Sequence, residues 1–184
     1  RNETDLYLAG RSEVETLAER TGEYAHLTVV DMGKEVTIHE RRGENAVARD
    51  YHRRMRELPQ HLHYTATGKA MLAHFEQSRL ERIVDEQGLP AQTEETITER
   101  NELSDALATI RERGYAVNDE EEVRGMRSVG AAIRALDDEV AGAISVTAPK
   151  SRLSGERFRT TVPELVEQAA NIVEVNLETA VLNE

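Results

Sequence analysis

The chain opens with a helical period. Val14, Leu17, Ala18 and Thr21 recur at three- and four-residue spacing up to Gly22, and Ser12-x-x-Glu15 has capping-box spacing, so a helix is predicted over residues 12–21. Leu6, Leu8 and Ala9 ahead of it predict that this helix continues one from upstream. At Tyr24 the period changes. His26-Leu27-Thr28-Val29-Val30-Asp31 is β-branched and apolar, Met32-Gly33-Lys34 reads as a turn, and Glu35-Val36-Thr37-Ile38-His39-Glu40 alternates, which predicts a hairpin with one face in water. Residues 44–58 are polar, with a short strand predicted at 46–49. Thr65 or Thr67 is placed to cap a helix running to Ala73.

A second capping box, Ser78-x-x-Glu81, predicts a helix carried by Leu80, Ile83 and Val84 to a stop at Gly88 and Pro90. A hydroxyl-rich loop at 93–98 precedes a helix over 99–113 on Leu103, Ala106, Leu107 and Ile110, with Gly114 as its C′ residue. Strands follow at 115–118, 129–136 and 140–147, the last two joined by Asp137-Asp138-Glu139. The final element spans about 154–178, with Pro163 as a kink or as a first-turn residue of a later start. This order predicts an α+β domain: an antiparallel sheet with helices packed on one side.

Composition narrows the function classes. The chain has 184 residues with 35 acidic and 23 basic side chains, a net charge of −12, and no cysteine, which excludes thiol nucleophiles, cysteine-type zinc and iron–sulfur sites and a disulfide framework. A duplex-binding surface needs a basic stripe, so these residues are not expected to hold DNA themselves. Three lysines stand against twenty arginines, and an acidic, lysine-poor surface is expected of a protein adapted to a salt-rich cytoplasm. The one dense basic cluster, Arg49, His52, Arg53, Arg54 and Arg56, reads as a solvated face or a phosphate patch. No apolar run approaches the ~20 residues of a membrane span, and Arg1 in place of Met predicts a fragment of a longer cytoplasmic protein.

The junction at residues 65–70 is the strongest chemical feature, because a capped helix start with small residues points N–H groups and a dipole at an anion. Thr67-Gly68-Lys69 lacks the spacing of a phosphate-binding loop. His61-x-His63 has no third ligand at a metal-site spacing, and no metal or other cofactor is called for. The acidic run Asp119-Glu120-Glu121-Glu122 reads as a solvated loop, with a cation site or general base as the sharper alternative. Ser128, Ser145 and Thr147 lie in apolar strands, where buried hydroxyls need partners.

Several segments in sequence order resemble the effector-binding domain of the IclR family of transcriptional regulators. They are Leu17-Ala18-Glu19-Arg20-Thr21-Gly22-Glu23, the run from Leu62 to Ala73, Gly88-Leu89-Pro90, Ile110-Arg111-x-x-Gly114-Tyr115-Ala116-Val117-Asn118-Asp119, Gly125, Ala131-Ala132 and Ala143-Ile144-Ser145-Val146. The resemblance implies a GAF-like domain at residues 23–184, preceded at 1–22 by a linker helix from a missing winged helix-turn-helix. It implies no catalytic residue, a small organic-acid effector, DNA binding only through the missing part, a homodimer or homotetramer, and no membrane. By the same resemblance Ala66, Thr67 and Gly68 meet the effector, and Asn118, Met126, Ser128, Ser145 and Thr147 line its cup. Family members often carry Asp in place of Asn118, Cys in place of Ser128 and Pro in place of Ala132, so the effector's polarity does not transfer. The competing readings are a pure assembly module, and a small hydrolase using His63 with Asp119 or Glu120.

Overall fold

A computed structural model describes residues 2–46 and 58–182. It consists of α1 (Asn2–Thr21), β1 (Tyr24–Asp31), β2 (Lys34–Arg42), α2 (Ala66–Leu72), α3 (Gln77–Gln87), α4 (Arg100–Arg113), β3 (Ala116–Asp119), β4 (Met126–Arg134), β5 (Val140–Pro149) and α5 (Val162–Leu182). The five strands form one antiparallel sheet in the order β2-β1-β5-β4-β3. The two hairpins therefore meet edge to edge, with β5 against β1.

Strand alternation divides the core in two. Ala25, Leu27 and Val29 of β1, Val129, Ala131 and Ile133 of β4, and Ile144, Val146 and Ala148 of β5 share one face, which packs against α1 and α5. The opposite face carries His26, Thr28, Ser128, Gly130, Ser145 and Thr147, and α2 lies across it on β4 and β5. Helices thus cover both faces rather than the single side expected, because the second face is polar yet buried. α2 and α4 complete that side with a second apolar cluster around Met71, Leu72, Leu103, Leu107 and Ile110.

The helix ends show where local signals were followed and where they were overridden. Thr65 caps α2 as expected, with extended φ −103° and ψ 152°, and Gly114 closes α4 at φ 88°. Neither Ser-x-x-Glu box is a helix start. Ser12 lies inside the single 20-residue helix α1, whose buried Leu6, Ala9, Gly10, Val14, Leu17 and Ala18 form one continuous stripe. Ser78 is inside α3, which begins after Glu76. Pro163 sits in the first turn of α5, and the turn before it, Arg157–Thr161, is π-helical with the Val162 N–H donating to the Arg157 carbonyl. Proline has no N–H for the Arg159 carbonyl and its ring crowds that oxygen, so the ladder widens there. The basic cluster at 49–56 and most of the strand expected at 46–49 lie outside the described residues; Ala46 is not in a strand.

A buried ion pair fastens α1's exit to the segment after β5. Glu23, 1% exposed, accepts from Arg152 Nε at 2.6 Å and Nη2 at 2.7 Å. Arg152→Ala is expected to cost about 2–3 kcal/mol in denaturant unfolding, less than the ~3–5 of a fully buried pair because Arg152 is half-buried. Arg157 remains 3.9 Å from Glu23. A loss under about 0.5 kcal/mol would mean that water or Arg157 replaces Arg152 fully.

A polar cavity beneath helix α2

Thr65 Oγ1 accepts the Gly68 N–H at 2.9 Å, the ordinary work of an N-cap. The same hydroxyl donates to Glu35 Oε2 at 2.8 Å, and Thr67 Oγ1 donates to that oxygen at 2.6 Å. Glu35 comes from the start of β2, and its backbone exchanges hydrogen bonds with Gln60 at 2.7 and 2.9 Å, which ties β2 to the segment leading into α2. Glu35 is fully enclosed. Burial raises its carboxyl above the usual carboxylate range, against the opposing pull of Thr67, Thr65 and the nearby His26.

Glu35 closes one side of a narrow cavity of about 10 Å³, close to the volume that one water occupies. Its floor is the polar sheet face: His26 and Thr28 of β1, Ser128 of β4, Ser145 and Thr147 of β5. Its roof is Thr65, Ala66 and Thr67, and Thr37 and Glu122 complete the wall. α2 can lie this close because β4 has Gly130 beneath it, where a Cβ would stand 2.9 Å from the Thr67 nitrogen. Ser128 and Thr147 satisfy each other at 2.8 Å. The Thr28 hydroxyl, on a residue 1% exposed, has no hydrogen-bond partner among the described residues.

Of the residues expected to meet a ligand, Ala66, Thr67, Ser128, Ser145 and Thr147 converge on this cavity. Gly68, Asn118 and Met126 do not line it. Gly68 presses on Leu62, and Asn118 shapes the β3–β4 loop by accepting the Glu121 N–H at 2.9 Å. That loop is not the solvated run its acids suggest. Glu121 and Glu122 are 7% and 8% exposed, and Glu121 Oε1 is 2.6 Å from Lys69 Nζ of α2. Burial pushes the Lys69 ammonium down, and Glu121 opposes the shift.

Sequence reading missed Glu35, His26, Thr28, Thr37 and Glu122. The alternation in β2 did mark Glu35 and Thr37 as opposite to Val36 and Ile38, but it assigned that side to solvent. The anion site expected at the start of α2 is also altered: the chain's own Glu35 carboxylate already sits against Thr65 and Thr67. The members of the hydrolase reading are engaged elsewhere. His63 donates from Nε2 to the Pro90 carbonyl at 2.9 Å, Asp119 pairs with Arg127 at 2.7 Å, and Glu120 pairs with Lys150 at 3.2 Å.

Residues 2–174 match the family described as "Bacterial transcriptional regulator IclR C-terminal". The chain belongs to the IclR family. It is 47% identical over 180 residues to the probable HTH-type transcriptional regulator ArcR of Halobacterium salinarum, covering 98% of this chain and 68% of that protein. It is 34% identical over 96 residues to the transcriptional repressor IclR of Escherichia coli, covering 52% of this chain but 35% of the repressor. The crystal structure of the Thermotoga maritima IclR superposes with a TM-score of 0.84 at 26% identity, over 94% of this chain and 68% of that one. The inducer-binding domain of Acinetobacter PobR, crystallised as a double mutant with 3-hydroxybenzoic acid, shares the fold with a TM-score of 0.77 at 18% identity, over 90% of this chain and 95% of that one. These IclR-family relatives are transcriptional regulators rather than enzymes, and the Halobacterium match supports the salt-adapted reading of the acidic surface. Among the described residues no helix is long and apolar enough to cross a membrane.

Proposed function

We propose that this domain senses a small metabolite in the cavity beneath α2 and couples its occupancy, through α1, to a winged helix-turn-helix in the full-length protein. The observation that carries the reading is a buried, hydroxyl-lined cavity whose Thr28 hydroxyl has no hydrogen-bond partner among the described residues. Five of the residues that the family resemblance implies for the effector lie around it. α1 packs on the other face of the same strands, so a shift of β1 or β5 beneath a ligand is felt by α1. A ligand can bias operator binding only through its differential affinity for two arrangements, typically about 1–3 kcal/mol. A homodimer or homotetramer working inside the cell is the assembly this reading carries with it. A small organic acid, the effector class expected from the sequence, is the ligand this reading carries, with Glu35 and Glu122 on the cavity wall.

Thermal unfolding in concentrated KCl tests the sensor reading with a panel of small acids, amines and polyols. A ligand at 100 times its dissociation constant adds about 2.7 kcal/mol, a rise of roughly 5–10 °C for a domain of this size. Thr67→Val removes a hydroxyl from the roof at nearly constant volume and diminishes the rise. Ser128→Ala with Thr147→Val, which deletes a mutually satisfied hydroxyl pair, keeps the fold and weakens it. A rise undiminished in both variants places the ligand elsewhere and sinks the proposal.

A further inference from the structure

The cavity beneath α2 is smaller than the ligand class proposed for it. The space of about 10 Å³ admits a group the size of one water, and even acetate is several times larger. Occupancy therefore requires two of its sides to part. The floor does not yield cheaply, because β1, β5 and β4 each have a neighbouring strand on both sides and pack their other face against α1 and α5. The wall is built differently. Glu35 and Thr37 belong to β2, an edge strand whose pairing with β1 skips Ile38: Leu27 faces His39, and Thr28 faces Thr37. A bulge of this kind interrupts the ladder and bends the strand. It separates the two cavity residues of β2 from His39, whose ring meets that of Tyr7 in α1 edge-on at 5.3 Å.

Wall and roof are joined at one carboxylate oxygen. Glu35 Oε2 accepts from Thr65 Oγ1 at 2.8 Å and from Thr67 Oγ1 at 2.6 Å, which ties the start of β2 to the first turn of α2. The far half of α2 is held elsewhere, by Met71 and Leu72 in the apolar cluster they share with α4. Resting on the sensor reading above, we propose that Glu35 is a latch that keeps the cavity shut, and that a ligand enters when the threonine hydroxyls leave it. Release frees the part of β2 ahead of the bulge, and the change reaches α1 through His39. A ligand that binds the open form alone has its apparent affinity reduced by the fraction of molecules that are open, so the latch sets the concentration at which the domain responds.

The experiment is hydrogen–deuterium exchange of the 184-residue chain in concentrated KCl, read on the peptides that cover α2 and β5. Glu35→Gln keeps the side-chain volume and an acceptor oxygen but replaces a charged acceptor with a weaker neutral one. The α2 amides are expected to exchange at least tenfold faster than in the parent, with β5 unchanged. Parallel acceleration of both peptides would make Glu35 an ordinary stability residue, and unchanged exchange in both would make its hydrogen bonds incidental. Either result overturns the latch and leaves the sensor reading to its own ligand panel. Should Glu35→Gln fail to fold, Gly130→Ala places a Cβ 2.9 Å from the Thr67 nitrogen, pushes the same turn off the sheet and is expected to give the same exchange pattern. Formate and butyrate, followed by thermal unfolding, read the entry step. Butyrate is expected to bind Glu35→Gln at least fivefold more tightly than the parent, and formate to gain less, because the larger acid needs the wider opening. Equal gains would reduce the effect to relief of like charge and overturn the latch, as would silence of both acids in the opened variant. Thr67→Val leaves the Thr65 bond in place, so the latch survives that change.

Discussion

Lys69→Met is expected to destabilise the domain by about 3–5 kcal/mol, the usual cost of leaving one partner of a buried pair alone. Lys69 is 4% exposed and its stem is enclosed, so methionine fills nearly the same space and the loss is electrostatic rather than a cavity. The stranded group is Glu121, whose Oε1 loses its 2.6 Å contact while Oε2 keeps the Asp119 N–H at 2.9 Å. That contact joins α2 to the β3–β4 loop, so the same change should loosen the wall that carries Glu122. Denaturant unfolding of Lys69→Met, Glu121→Gln and the double variant separates the pair from its surroundings. The double variant should recover most of the loss, since replacing both partners removes the uncompensated charge. Single losses below about 1 kcal/mol would show that water reaches Glu121 and that the pair is incidental.

The parts of this protein that were legible in its sequence are those where one local rule acts alone. Thr65 capped the helix it was expected to cap, the hairpin of β1 and β2 formed where it was expected although its register shifts at Leu27/Thr28, and Gly114 ended α4. The Ser-x-x-Glu boxes failed because a capping box stabilises a helix end only where the chain has to end, and α1 gains more by burying Leu6 and Ala9 one turn and more upstream of Ser12. The missed half of the site has a different cause. A residue pointing away from the core and a residue pointing into a polar cavity obey the same alternation, so Glu35 and Thr28 carried no local mark of enclosure. What encloses them is α2, placed more than thirty residues later in the chain by Gly130 and the Gln60 bridge. Charge was misleading for the same reason: the run 119–122 reads as surface until Lys69 is found beside it.

Gly68→Ala is expected to destabilise by about 3 kcal/mol or more, opposite in sign to what local preference alone would give. Gly68 is the third residue of α2, and in a helix alanine is favoured over glycine by about 0.5–1 kcal/mol. Here a Cβ would stand 2.3 Å from the Leu62 carbonyl oxygen, 2.6 Å from the Leu62 Cα and 2.5 Å from Thr65 Oγ1. Two of those atoms are backbone and cannot rotate away, so α2 must lift or residues 62–65 must shift. Either movement breaks the Thr65 cap, worth about 1 kcal/mol, and pulls the Thr65 and Thr67 hydroxyls from Glu35, on top of about 1–3 kcal/mol of overpacking. Gly125→Ala is the control for backbone strain: its φ is +79° with nothing within 4 Å of the added methyl, so it should cost only about 1 kcal/mol. Thermal unfolding of the two variants side by side reads the difference. Gly68→Ala should melt lower than Gly125→Ala, because the hydroxyls that hold Glu35 have moved. If Gly68→Ala instead melts at or above the parent temperature, α2 does not rest on Leu62 as described, and the cavity it roofs would have a different shape.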